Sequence, residues 1–164
     1  MSIALLPGSY DPITLGHLDI VKRASLLYDE VVVAVMNNAA KSYMFDMGAR
    51  AEMVRRATAA MSQVRVVADE GMLVDLFDRL GADVIVKGVR NAADLAYEQE
   101  MAAYNLSRNP RAKTVFLEAA ASYGDLSSTR VRAMLKEGKV PHGLLPTEVI
   151  AYLDMTGGLK PSHQ

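Results

Sequence analysis

The residue types and spacing with the clearest chemical meaning lie in Pro7-Gly8-Ser9-Tyr10-Asp11-Pro12-Ile13-Thr14-Leu15-Gly16-His17. This stretch follows a short apolar run, Ile3-Ala4-Leu5-Leu6, and precedes a helical pattern that starts near Leu18. A strand, a loop bounded by glycine and proline, and a helix opening on Gly-His together build an anion site. Glycine lets backbone approach a ligand closely, and the free N–H groups of a helix N-terminus point at negative charge. His17 adds a side-chain donor at the same spot. A helix N-terminus disfavours imidazolium, so a neutral His17 is expected near pH 7, still able to donate one hydrogen bond to a phosphate oxygen. An isolated histidine is ordinarily a surface or capping residue; Gly8, Gly16 and the position after the first apolar run favour a ligand role here. Asp11-Pro12 reads as setting a turn.

Other groups suited to phosphate chemistry lie far along the chain. Lys41 sits in Asn37-Asn38-Ala39-Ala40-Lys41-Ser42, a polar loop after an apolar run. In Lys87-Gly88-Val89-Arg90 two cations flank a glycine, so ammonium, guanidinium and backbone can meet phosphate oxygens together. Ser127-Ser128-Thr129-Arg130 reads as a helix cap, and capping hydroxyls face the same way as the free N–H groups that bind anions. Glu98, in Tyr97-Glu98-Gln99-Glu100, has the composition of a solvated helix face. The pattern is neither GxGxxG nor a P-loop, since no Gly-Lys-Ser/Thr follows, which argues against a dinucleotide oxidoreductase and a Walker-type ATPase. Most methionines read as core fillers, with Met36, Met44, Met72 and Met101 placed near loops where they can line an apolar slot. His142 and His163 have no histidine or carboxylate at ligand spacing, so no protein-bound metal is assigned.

These residues need elements to position them. Val31 to Met36 is continuously apolar and rich in β-branched residues, as in a strand buried on both faces. Ile3 to Leu6, Val64 to Val67, Val84 to Val86 and Thr114 to Leu117 read as further short strands. Helical spacing covers Asp19 to Leu27, Ala49 to Met61, Leu73 to Leu80, Ala92 to Arg108 and Ser127 to Lys136. Pro146 opens a last helix running to about Asp154. Five strands alternating with helices predict an α/β fold: a single-domain, Rossmann-like, doubly wound sheet of five parallel strands with helices on both faces. Ligands of such sheets sit beyond the carboxyl ends of the strands. Ser9 and His17, Lys41, Lys87 and Arg90, and Ser127 to Thr129 all follow strands, so they are expected to converge on one edge.

The chain has 164 residues, 51% of them hydrophobic, a net charge of -1 and no cysteine. That is one domain with a substantial core, here placed at 1–156, with 157–164 read as a flexible tail. No global basic field draws it to nucleic acid or anionic lipid. No apolar run approaches the roughly 18 residues of a membrane span, and no secretory leader is evident, so a cytoplasmic protein is expected.

The Gly8-to-His17 stretch resembles the T/SxGH signature of the nucleotidyltransferase superfamily. With Lys41 before Met44-Phe45, Ile85-Val86-Lys87-Gly88-Val89-Arg90, Asp94 with Tyr97-Glu98, Asn105 and Ser127-Ser128-Thr129, the pattern is similar to the bacterial phosphopantetheine adenylyltransferases from about Ile3 to Leu153. The resemblance implies transfer of AMP from ATP to 4'-phosphopantetheine by direct in-line displacement, giving dephospho-CoA and pyrophosphate. It implies that Ser9, Lys41, Leu73 and Lys87 bind phosphopantetheine. Ser9, Tyr10, His17, Gly88, Val89, Arg90, Glu98 and the segment Tyr123, Gly124, Asp125, Leu126, Ser127, Ser128, Thr129 would bind ATP. His17 would stabilise the transition state, with Lys41 and Arg90 also catalytic. Mg²⁺ would be held mainly through the ATP phosphates, the assembly would be a homohexamer, and coenzyme A would be a feedback inhibitor. Ser9 stands for a commoner threonine, Lys87 for a commoner arginine and Tyr43 for a frequent proline, and Gly124-Asp125 is more polar than in relatives. A glycerol-3-phosphate cytidylyltransferase would carry Arg-Thr-x-Gly-Ile-Ser-Thr-Thr, which is absent. A nicotinate mononucleotide adenylyltransferase usually has Ile-His before its Gly-His. A non-catalytic nucleotide-binding regulator on this fold would not need the second-substrate lysines.

Overall fold

Val31-Val32-Val33-Ala34-Val35 is apolar at every position because both of its faces are covered, and all five residues are fully buried. The strand that contains it lies inside the sheet, next to the edge strand on one side and to the first strand on the other. The computed structural model describes residues 1–159. Among these it forms strands β1 (Ile3–Gly8), β2 (Glu30–Met36), β3 (Val64–Asp69), β4 (Val84–Val89) and β5 (Thr114–Glu118). The helices are α1 (Leu15–Leu27), α2 (Met47–Ala57), α3 (Leu73–Leu80), α4 (Ala92–Arg108), α5 (Ser128–Lys136) and α6 (Thr147–Thr156). Every strand pairing is parallel, in the order β3-β2-β1-β4-β5. The chain moves outward from β1 to β3, then returns to place β4 on the other side of β1. Strand order therefore reverses between β1 and β4, and a crevice opens beyond their carboxyl ends.

Strand side chains alternate between two cores. Ala4, Leu6, Val31, Val33, Val35 and Val86 pack with Ile20, Val21 and Ala24 of α1, Met53 and Val54 of α2, Val131 and Leu135 of α5, and Val149 and Leu153 of α6. Leu5, Val32, Ala34 and Ile85 point the other way, against Val74, Leu76 and Phe77 of α3. The doubly wound reading therefore holds, with the period-two alternation deciding which core each residue enters.

Several expected boundaries shift for local reasons. α1 begins at Leu15, because Thr14 caps it, so Gly16 and His17 lie inside its first turn. Asp46 accepts from the Ala49 N–H at 2.7 Å and starts α2 two residues before the expected Ala49, and that helix stops at Ala57. β1 and β4 run two and three residues past their apolar cores, to Gly8 and Val89, which brings Lys87 and Gly88 into the sheet. A short 3-10 turn at Ala121–Tyr123 has no apolar periodicity to announce it. Of the segment read as a flexible tail, Gly157 is the left-handed cap of α6 at φ 82° and Leu159 packs on the core. The rest of that reading, 160–164, lies outside the described residues.

Candidate active site

At the end of β1 the backbone turns through Tyr10, whose φ of 48° lies in the left-handed region. Tyr10 is held there by burial and by its hydroxyl, which donates to the Leu6 carbonyl at 3.0 Å. Burial also pushes the phenol well above its ordinary pKa. The ring folds back over Gly8, where a Cβ would lie 2.9 Å from it. Gly8 is thus required by the protein's own aromatic ring, and Gly16 has ordinary space around it, with no Cβ contact nearer than 3.5 Å. Both glycines also line the cavity described below, so this packing stands beside the ligand approach expected of them.

The Tyr10 ring meets the His17 ring edge to face, with centroids 5.1 Å apart. The third residue of α1, His17, closes a reciprocal cap: its N–H donates to Thr14 Oγ1 at 3.3 Å, and the Thr14 N–H donates to His17 Nδ1 at 3.0 Å. Nδ1 is therefore an acceptor, and the ring proton of the neutral form belongs on Nε2. Burial pushes the His17 pKa down to about 4, and the cations Lys87 and Arg90 push the same way. The expected neutral imidazole is found, with desolvation as the leading cause instead of the helix terminus.

His17 lines a cavity of about 620 Å³ beyond the β1 and β4 ends. The cavity wall also includes Ser9, Tyr10, Lys41, Leu73, Lys87, Gly88, Arg90, Glu98, Tyr123, Leu126, Ser127, Ser128 and Thr129. Sequence positions from both ends of the chain thus share one space. Val89, Gly124 and Asp125 are not on this wall. Val89 alternates inward from Gly88, is 4% exposed, and offers its carbonyl to the Ala119 N–H at 2.8 Å. Gly124 and Asp125 follow the 3-10 turn, whose geometry the sequence did not reveal. Met36, Met72 and Met101 join Leu73 on the wall, whereas Met44 packs on the core. Gly88 has a packing reason as well: a Cβ there would lie 2.8 Å from Ile20 Cγ1.

The charges are partly paired. Lys87 Nζ lies 3.7 Å from Glu98 Oε1 and donates to the Pro7 carbonyl at 3.3 Å. Arg90 Nε meets Asp94 Oδ2 at 3.1 Å. Glu98, which composition left without a role, is the counter-charge of Lys87. Lys41 is exposed and its side chain has no hydrogen bond or ion pair among the described residues. The Ser127 hydroxyl accepts from the Arg130 N–H at 3.1 Å, leaving its proton free to donate. The Ser128 hydroxyl spends its proton on the Pro12 carbonyl at 2.8 Å, so it can only accept. Thr129 Oγ1 accepts from Arg132 Nη2 at 3.1 Å and keeps its own proton.

Sequence reasoning missed Arg132, which reaches the same wall, donates to the Asp11 carbonyl at 2.9 Å and lies 3.9 Å from its carboxylate. Its position one helical turn after Thr129 was the available signal. It also missed Asp11, which does more than set a turn. Buried at 3% exposure, its carboxylate accepts from the Met44 and Phe45 N–H groups at 2.9 and 3.0 Å. Among the described residues four cations and three carboxylates line the cavity. Among the described residues no three histidines, aspartates or glutamates gather to cage a metal ion. The carboxylates on the wall are turned to Lys87, Arg90 and Arg132.

A neutral imidazole donor between two helix N-termini, with cations converging from β2, β4 and α5, suits displacement at phosphorus and no base-dependent chemistry. Fold and site together define a nucleotidyltransferase. The family model described as Cytidylyltransferase-like matches residues 5–134. The phosphopantetheine adenylyltransferase of Symbiobacterium thermophilum is 45% identical over 143 residues, 87% of this chain and 88% of its own length. That of Limosilactobacillus reuteri (strain DSM 20016) is 39% identical over 149 residues, 91% of this chain and 86% of its own length. That of Clostridium botulinum (strain Alaska E43 / Type E3) is 38% identical over 151 residues, 92% and 95% respectively. Within the cytidylyltransferase-like family, the chain belongs to the phosphopantetheine adenylyltransferases.

Proposed function

We propose that the protein transfers the adenylyl group of ATP to the phosphate of 4'-phosphopantetheine, forming dephospho-CoA and releasing pyrophosphate. The observation that carries this reading is the single cavity shared by His17, Lys41, Lys87 and Arg90. The names of the relatives single out the acceptor and disfavour the cytidylyl and nicotinate alternatives. An acceptor phosphate oxygen attacks the α-phosphorus of ATP and the bond to the bridging oxygen breaks, with both electrons leaving on pyrophosphate. The nucleophile is already an anion, so no general base is needed. The protein aligns two polyanions and neutralises charge that develops at the reacting phosphorus. Ser9 and Lys41 hold the acceptor phosphate, with Lys87 beside it, and Leu73 meets the pantetheine arm. His17 Nε2–H donates to the α-phosphate in the transition state. Arg90, Thr129 and the N–H groups at the start of α5 hold the nucleotide phosphates, and Gly88, Glu98, Tyr123 and Leu126 border the nucleotide. Mg²⁺ carried on the ATP phosphates, which Arg90, Thr129 and the start of α5 hold, would supply further charge neutralisation there.

A homohexamer in the cytoplasm, inhibited by coenzyme A, completes the proposal. Self-association is supported by α4, where Tyr97, Met101, Tyr104 and Leu106 are all at least 40% exposed, and by the exposed Val115 of the edge strand β5. Coenzyme A contains the acceptor's own pantetheine arm and so competes for the same wall. No helix among the described residues is long and apolar enough to cross a membrane. Pyrophosphate release with ATP and each of phosphopantetheine, glycerol 3-phosphate and nicotinate mononucleotide tests the assignment. Turnover with phosphopantetheine alone is expected, and turnover with only another acceptor would overturn it.

A further inference from the structure

Arg50 of α2 is a guanidinium buried to 1% exposure that the reaction scheme does not use. Its acceptors among the described residues are all neutral. Nε donates to the Phe45 carbonyl at 3.0 Å, and Nη1 donates to the Ser9 carbonyl at 3.0 Å and the Met36 carbonyl at 3.3 Å. Nη2 donates to Asn37 Oδ1, and the Tyr43 ring covers the group with its centroid 4.2 Å from Cζ. Burying a cation without an anion is costly, and an apolar side chain of similar volume is commonly no less stable. Stability alone does not call for an arginine here.

The partners show what it does. Ser9 begins the turn after β1. Met36 and Asn37 begin the loop that carries Lys41, and Tyr43 and Phe45 end it. One planar side chain thus ties Ser9 to both ends of the Lys41 loop. Within the loop, the Lys41 N–H bonds only to the Asn38 carbonyl, at 2.9 Å, and its ammonium is free among the described residues. From this, and resting on the acceptor assignment above, we infer that Arg50 is a positioning residue for the acceptor phosphate, setting the spacing between the Ser9 hydroxyl and Lys41. Lysine cannot replace it: one nitrogen cannot span the three segments that a five-donor fork joins.

The test compares Arg50→Met and Arg50→Lys with the parent protein. Kinetics of pyrophosphate release are combined with calorimetric titration of phosphopantetheine and of ATP separately. Both variants are expected to raise KM and Kd for phosphopantetheine at least about tenfold, with ATP affinity within about threefold and kcat at saturation falling less than KM rises. A purely structural arginine would lower Tm and active fraction and leave both substrate affinities alone. That result, or an equal loss for the two substrates, overturns the inference. If neither variant folds, Asn37→Ala at an exposed position decides, since it removes the Nη2 partner: a rise of about threefold or more in acceptor Kd supports the role, and no change overturns it. Failure of the parent protein to use phosphopantetheine would instead sink the functional reading.

Discussion

Replacing His17 with alanine removes the donor at the centre of the cavity. The Thr14 N–H occupies Nδ1 at 3.0 Å, so Nε2–H is the donor the ring has to offer. Loss of one donor aimed at developing charge lowers kcat by about 10²–10³, or about 2.7–4 kcal/mol. KM for ATP should move by less than about threefold, because the interaction is made mainly in the transition state. The same geometry requires a neutral ring. With a pKa near 4, His17 is only about 3% protonated at pH 5.5, where an ordinary histidine would be about 90% protonated. The chain has three histidines, so its ring signals can be followed by NMR. The signal missing from the H17A spectrum should stay unshifted from pH 8 down to about 5 in the ligand-free protein. The folded value lies below the unfolded one, so the unfolded chain takes up the proton first. The stability contributed by neutral His17 is therefore complete above about pH 6.5 and is lost as pH falls towards 4, by at most about 3 kcal/mol. Turnover in H17A within tenfold of the parent, or a His17 signal titrating near 6.5, would refute this account.

Two further substitutions probe separate parts of the structure. Lys41→Ala removes an exposed ammonium that is unpaired among the described residues, so folding should be unaffected, while calorimetry should show phosphopantetheine binding weakened by about 10- to 100-fold and ATP binding nearly unchanged. Gly88→Ala places a Cβ 2.8 Å from Ile20 Cγ1, and this overpacking should cost about 1–3 kcal/mol in thermal or urea unfolding. The double variant with Ile20→Ala should lose less than the sum of the two single losses, and a G88A protein as stable as the parent would show that β4 and α1 are not tightly packed there.

The order of strands and helices was legible because apolar runs and helical spacing are local signals, and α3 and α4 match their expected bounds to the residue. The site was legible in outline for a different reason: in a parallel sheet every strand ends on the same side, so polar residues after strands must share an edge. What sequence reasoning did not foresee was packing and hydrogen bonding set by the folded backbone, within one turn as well as between distant segments. Gly8 answers to the Tyr10 ring, Gly88 to Ile20, and Asp11 to two N–H groups more than thirty positions away.

Residue chemistry and spacing by themselves pointed to the phosphate-binding character, the parallel α/β architecture and the convergence of Ser9, His17, Lys41, Lys87, Arg90 and Ser127 to Thr129 on one edge, while Tyr10, Leu73, Glu98, Tyr123 and Leu126 came from the family resemblance. Tertiary structure alone decided the electrostatic state of those residues: which ring nitrogen of His17 carries the proton, that among the described residues Lys87 and Arg90 are paired while Lys41 is free, that Ser128 cannot donate, and that Arg132 and Arg50 belong to the arrangement. The reason is one of range. Secondary structure follows from neighbours a few positions apart, whereas charge pairing, desolvation and hydrogen-bond commitment depend on atoms brought within a few ångströms by folding.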